Sequence, residues 1–367
     1  MALPPESANF VDDFDGVAPE SEPWPALMVR RAEIEAQIER LASVPLPDSG
    51  LRRAHIVHPS SMVGHGFSPA MRVSLEVLLP GETTEPLQHL GATVGFSIEG
   101  SGAVQVADIE LGFDQYDTVS IPSLAPYQYR NDKSALHARL TYSTNPVLEM
   151  LGVAHGIPNP DMASMSYAAP IDRDRDPLAD EVLDLPGRGA TVRSYEALVD
   201  PDTGAQTPEH WSWPRIKEWL DPHADLGDEY EGRMVAVLAH AANARNLGTT
   251  PTLSAMYGTL PPRFTMPPHR HSAASIVYHF GGSGHSVVGG RRFEWHAGDL
   301  MWGAPGMAIH FHASHEEQDW AMIVQDNALQ LAMDNEFWQE DLKQPPILIG
   351  SHQGYKTNRN ELESTSG

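Results

Sequence analysis

Apolar and polar positions change rhythm several times along the chain. Residues 26–44, ALMVRRAEIEAQIERLASV, place apolar side chains at helical spacing with opposite charges at helical offsets, which predicts a surface helix. From about 52 the period shortens. MRVSLEVLLPGE, TVGFSIEGSGAVQVADIELG and DTVSIPS are short alternating runs broken by Gly, Pro, Asn and Asp, the pattern of an all-β region. The stretch 152–210 is rich in Pro, Asp and Gly and reads as a connector, with WSWPRIKEWLD as a short helix near its end. The β rhythm returns at about 232 and runs to about 333, before the polar ending GSHQGYKTNRNELESTSG, read as a flexible tail. The segments are a Pro- and acid-rich arm with a helix (1–50), a first β unit (51–151), a connector (152–231), a second β unit (232–335) and a tail (336–367).

The two β units are copies. Residues 68–102 lie over residues 250–284 without a gap at an offset of 182, sharing a Ser/Thr-Pro start, a Leu-Pro turn, a histidine and a closing Gly-Ser-Gly. One residue of extra offset later, Pro122-Ser123 falls opposite Pro305-Gly306. A repeat of about 100 residues built from short strands predicts two copies of one β-barrel or sandwich.

Composition narrows the chemistry. A hydrophobic fraction of 41% over 367 residues supports a buried core without cross-links. The absence of cysteine removes disulfides, thiolate metal sites and thiol nucleophiles, and suits a reducing cytoplasm. A formal charge of −25, from 49 acids against 24 Lys plus Arg, argues against nucleic acid and anionic membranes as partners. It leaves room for an anionic substrate wherever a cation reverses the local field. No apolar run is long enough to cross a bilayer, and the first residues lack the pattern of a signal peptide.

Histidines carry the candidate site. Residues two apart on a strand share a face, so His269 and His271 can bind one ion together. His310 and His312 form a second same-face pair, beginning five residues after Pro305. In the first repeat the matching positions are Leu87, His89 and Tyr127, which cannot hold a divalent ion, so that barrel is read as structural.

HRHSAAS, GGSG, GDLMWGAPGMAIHFH and TTPTLSAMYGTLPP together resemble the bicupin ring-cleaving dioxygenases of the gentisate/salicylate 1,2-dioxygenase type. The resemblance spans about 50–335. It implies an all-β fold of two double-stranded β-helix (jelly-roll) barrels with a few peripheral helices, and an Fe(II) held by His269, His271 and His310. The glutamate common in cupins is missing, since Ser275 and Ile276 stand there, and the ring-cleaving family shares that absence. The metal motif lies in the second barrel, whereas the family usually carries it in the first. His312 matches a family histidine near the metal and is the candidate acid/base or oxygen-stabilising group. His279 is read as a satisfied core histidine.

The family's substrate-clamping arginine falls at Val277, and its upstream tryptophan and glutamine at Ser254 and Gly258. Arg263, Arg291 and Arg292 are the candidate replacement guanidinium groups, and Trp302 the candidate aromatic wall. The expected activity is Fe(II)-dependent cleavage, by O2, of the ring of an aromatic acid with an ortho hydroxyl or amino group. The expected partners are that small aromatic carboxylate, O2 and further copies of the chain in a dimer or tetramer. Two alternatives are a non-oxidative metal-dependent cupin enzyme acting on a chelating acid or diketone, and a metal- or ligand-binding bicupin without catalysis.

Overall fold

In the computed structural model, the described residues are 22–157, 159–167, 180, 182–184, 191–195, 206–224, 234–243 and 246–349. The beginning of the arm, nearly half of the connector and the end of the tail lie outside them.

Each repeat folds a six-stranded antiparallel sheet against smaller sheets. In the first, the order is Glu209–Trp211, Thr118–Ile121, Thr93–Glu99, His137–Ser143, Arg72–Leu78, Arg52–Ile56, opposed by three strands within 102–130. In the second, the order is Leu27–Val29, Leu300–Trp302, Ser275–Gly281, Asp319–Gln325, Ser254–Leu260, Met234–Leu238, opposed by Ser283–Val288, Arg291–His296 and His310–Ser314. The offset of 182 holds at the level of elements. Arg72–Leu78 maps onto Ser254–Leu260, His137–Ser143 onto Asp319–Gln325, and the helix Asn145–Met150 onto Asn327–Ala332. Even the register irregularity repeats, at Ser97/Glu99 and at His279/Gly281. The next-but-one turn residues Gly100 and Gly282 both adopt φ +70°, where a Cβ would strain the backbone.

Strand alternation divides the side chains of each large sheet. Val94, Phe96, Leu140 and Tyr142 of the first barrel pack with their counterparts Ile276, Tyr278, Met322 and Val324 in one core between the barrels. The alternate residues point into each barrel. Tyr257 fastens the two sheets, bonding Thr118 Oγ1 at 2.8 Å.

The arm and the connector each complete the other repeat's barrel. Leu27 pairs with Trp302, and Glu209 pairs with Ser120, its counterpart in the first barrel. The helix expected over 26–44 is therefore shorter: residues 27–29 are a strand and the helix is Arg31–Ser43. Asp299 sets the switch. Its carboxylate accepts from the Arg31 backbone N–H at 2.7 Å and from Arg30 Nη1 at 3.1 Å, placing a negative charge on the helix N-terminus. The Arg30 N–H donates to Glu33 Oε2 at 2.8 Å, satisfying one more end group. The short helix expected from WSWPRIKEWLD is Trp213–Ala224.

A second expectation is corrected at the other end. Residues 336–349 are two strands, Glu336–Gln339 and Ile347–Ile349, forming a sheet with Arg270–His271. The polar letters of 336–344 masked a strand, central in this sheet, whose end residues Glu336 and Gln339 are buried. No described helix is long and apolar enough to cross a membrane.

Candidate metal centre and cavity

The four histidines meet inside the second barrel. His269 and His310 exchange backbone hydrogen bonds, His269 N–H to His310 O at 2.9 Å and the reverse at 2.8 Å, and their ring centroids are 4.3 Å apart. The His271 ring lies 4.8 Å from that of His310 and stacks on Trp338 at 5.2 Å. His312 lies 5.6 Å from His310. His269, His271 and His310 are buried; His312 is half-buried. In the first barrel Leu87 and Tyr127 form the bridge that His269 and His310 form here, with His89 Nε2 on the Tyr127 hydroxyl at 2.8 Å.

Hydrogen bonds at the far ring nitrogen separate ligands from donor. His269 Nδ1 meets Pro267 O at 3.0 Å, His271 Nδ1 meets Ala273 O at 2.9 Å, and His310 Nδ1 meets Ala308 O at 2.8 Å. A carbonyl only accepts, so each Nδ1 carries the hydrogen and the lone pair of each ring lies on Nε2, the tautomer a metal requires. His312 differs. Its Nδ1 lies 2.7 Å from Ser286 Oγ, which already accepts from Trp295 Nε1 at 3.1 Å. Ser286 is fully buried, and with Trp295 already donating to its oxygen its hydroxyl can donate to His312 Nδ1. In that arrangement His312 Nε2 would carry the ring hydrogen. By distance alone, donor atoms of His269, His310 and His312 form the tightest trio, all within 4.8 Å. Proton bookkeeping instead favours His271 as the third ligand, because a ring nitrogen bearing a hydrogen has no lone pair to give.

The histidines open on a cavity of about 350 Å³. Ser254, Gly258 and Val277 line it, with Met256, Ala321, Ile323, Gln325 and Asn327. Gly258 and Ala321 create the space, for their counterparts in the first barrel are Glu76 and Arg139. There Glu76 accepts from Arg53 at 2.6 Å and pairs with Arg139 at 2.5 Å, and Arg139 lies 3.4 Å over the Tyr129 ring. Burial alone would raise Glu76, but the two guanidinium groups hold it down at about 2.

Four expected substrate residues are elsewhere. Trp302 pairs with Ile276, whose side faces the core between the barrels, and it packs edge-on against Trp24 and His58. Arg263 is exposed and paired with Glu316. Arg291 lies at a solvent-facing strand end over the Phe293 ring, and Arg292 pairs with Glu294 at 2.6 Å. Among the described residues no Arg or Lys lines the cavity. His279 does, but it is bound to Asp319 at 3.0 Å and stacked on Trp295 at 3.9 Å.

Sequence reasoning missed Glu336, Trp338 and Glu340, which line the cavity from the strand assigned to the tail and the residue after it. Burial, reinforced by the nearby Asp326 carboxyl, pushes Glu336 up to about 8, and burial raises Asp326 to about 6. Glu336 Oε2, Asn327 Oδ1 and Ser254 Oγ are buried without hydrogen-bond partners, the condition of a site awaiting a polar ligand.

Comparison with known proteins agrees with this architecture. The model of the AraC-like ligand binding domain matches residues 258–340, the segment that carries most of the cavity. A 5-aminosalicylate 1,2-dioxygenase of Comamonas sp is 22% identical over 335 residues, covering 87% of this chain and 82% of the relative. A gentisate 1,2-dioxygenase of Haloferax sp is 24% identical over 319 residues, covering 83% of each. The crystal structure of the salicylate 1,2-dioxygenase from Pseudaminobacter salicylatoxidans superposes with a TM-score of 0.70 at 17% identity, over 90% of this chain and 91% of the other. The chain has the fold of a gentisate/salicylate-type bicupin. In this bicupin the histidine cluster sits in the second barrel, where the spacing of His269, His271 and His310 puts it.

Proposed function

We propose that this bicupin is a ring-cleaving dioxygenase for an aromatic acid bearing an ortho hydroxyl or amino group. The carrying observation is the set of three imidazoles that line one cavity and whose Nδ1 atoms are tied to backbone carbonyls. The full-length likeness to dioxygenases that are named for gentisate and 5-aminosalicylate supports the reaction class. His269, His271 and His310 would hold the metal, and three neutral nitrogen ligands leave its full charge and several open positions. Iron(II) in that position supplies electrons to dioxygen and a chelation point for the carboxylate and ortho substituent. A chelated carboxylate needs no arginine, which agrees with a cavity that has none.

The protein's own part is positioning and exclusion. Gly258 and Ala321 leave space for one ring, and 350 Å³ falls in the range of small-molecule sites. Val277, Met256 and Ile323 supply apolar walls that exclude bulk water. His312 presents Nε2–H toward the reacting atoms and stabilises negative charge developing on oxygen. Trp338 backs His271 and fixes its ring plane. The ring opens between the carbons bearing the carboxylate and the ortho substituent, and both oxygen atoms enter the product. The cysteine-free chain suits the cytoplasm, and the family resemblance suggests a homo-oligomer.

Oxygen uptake tests the reading. Protein purified anaerobically is assayed for iron and then for O2 consumption with salicylates, gentisate and anthranilates. Stoichiometric iron with uptake on one of these, and a ring-opened product absorbing in the near ultraviolet, is expected. Iron without uptake on any of them would refute the dioxygenase and move the reading to a non-oxidative metal enzyme.

A further inference from the structure

The three-stranded sheet that carries His310 and His312 on its inner face bears a second cluster on its outer face. His285 lies directly opposite Glu294 in the antiparallel pairing of Ser283–Val288 with Arg291–His296, so their side chains share that face. His315, just past the end of His310–Ser314, joins them through its backbone N–H on Ser283 O at 2.8 Å. His315 Nε2 is 3.7 Å from Glu294 Oε2, and the His285 and His315 rings are 5.8 Å apart. One donor atom from each of the three lies within 4.8 Å of the others.

We propose that His285, Glu294 and His315 form a second metal site, selective for a zinc-like divalent transition ion. Two imidazoles and one carboxylate are a donor set that Zn(II) takes readily, whereas magnesium and calcium prefer oxygen. Two further observations fit a cation. His285 Nδ1 is buried with no hydrogen-bond partner. Arg292 occupies only Glu294 Oε1, at 2.6 Å, which leaves Oε2 on the side of the histidines. Positions left over by three protein ligands at a half-exposed surface fill with water. The bound ion ties together all three strands, whose inner face holds Ser286 and His312, and so stiffens the wall of the cavity from outside. The inference does not depend on the reaction catalysed inside.

Metal-stripped protein is titrated with Zn(II) against a chromogenic chelator, and its Tm is followed in parallel. The wild-type chain is expected to bind two Zn(II), falling to one in His285→Ala and in His315→Ala, with the Tm rise at the second equivalent lost in both variants. Both are surface substitutions that leave the inner histidines in place. As a cross-check, His269→Ala/His310→Ala should retain one Zn(II), while magnesium and calcium give no second equivalent. A single Zn(II) in the wild type, or a second one that survives both His285→Ala and His315→Ala, overturns the proposal.

Discussion

Glu336 stores a pH-dependent instability that a single substitution should release. The carboxyl is 3% exposed, is pushed up to about 8 by burial and by the Asp326 carboxyl, and has one oxygen unpartnered. In the unfolded chain it ionises near 4.5. Between those values the folded state holds a proton that the unfolded state has lost. Stability contributed by this group therefore falls as pH rises from 4.5 and levels off above 8. At about 1.36 kcal/mol per pH unit the full cost is about 5 kcal/mol. Water entering the open cavity reduces it, and we expect Glu336→Gln to recover about 2 kcal/mol at pH 8–9. Glutamine keeps the shape and cannot ionise. In a chain of this size the gain corresponds to a Tm increase of roughly 3 °C. The assay is calorimetry on metal-free wild type and Glu336→Gln at pH 5, 6.5, 8 and 9, metal-free because a nearby dication would itself favour the carboxylate. The two proteins should melt together at pH 5 and separate progressively above it. A variant no more stable than wild type at pH 9 would refute the burial argument.

Three further outcomes follow from the geometry. His271→Ala should lose bound iron, while His312→Gln keeps iron and loses at least tenfold in kcat; metal analysis beside turnover decides, and the opposite assignment would refute the proton bookkeeping at Ser286. Ala321→Leu places a larger side chain in the ring space and should raise KM at least tenfold with metal content unchanged, measured by steady-state oxygen uptake. Asp299→Asn removes the charge that meets Arg30 and the start of Arg31–Ser43, and should cost about 1–2 kcal/mol by urea unfolding at pH 7.

What was legible in the sequence was whatever left a period or a repeat. The offset of 182 gave both barrels, and the spacing of His269, His271 and His310 put three imidazoles in one of them. Ser254, Gly258 and Val277 reach the cavity because register carries over between repeats unchanged. Trp302 did not, because it stands in a short buried strand where alternation is invisible in an all-apolar text, and its partner Ile276 faces the inter-barrel core. Arg263, Arg291 and Arg292 were chosen by charge alone, and charge without register says nothing about direction. The strand at 336–339 was lost because its two buried end residues, Glu336 and Gln339, are polar and mimic a solvated tail. Trp211 and Leu27 sit in strands donated across the molecule, and no local pattern reports a partner some 90 or more residues away.

The two barrels show how one fold is either filled or emptied. Their backbones agree element by element, so the difference lies in a few inward positions. Where the first barrel has Glu76 and Arg139, joined to Arg53 and capped by Tyr129, the second has Gly258 and Ala321. An ion-paired network occupies the space and balances its own charge, with Glu76 held between Arg53 and Arg139. Glycine and alanine leave room, and the polar atoms around that room, on Ser254, Asn327 and Glu336, are left without partners. Loss of the histidines and filling of the interior therefore belong together. A barrel with Leu87 and Tyr127 in place of His269 and His310 has nothing to bind, and an empty polar interior there would only cost stability. A barrel that keeps its imidazoles must keep its void. The first repeat is thus free to act as the platform on which Phe96 and Tyr142 support Tyr278 and Val324, holding the strands of the working barrel in register.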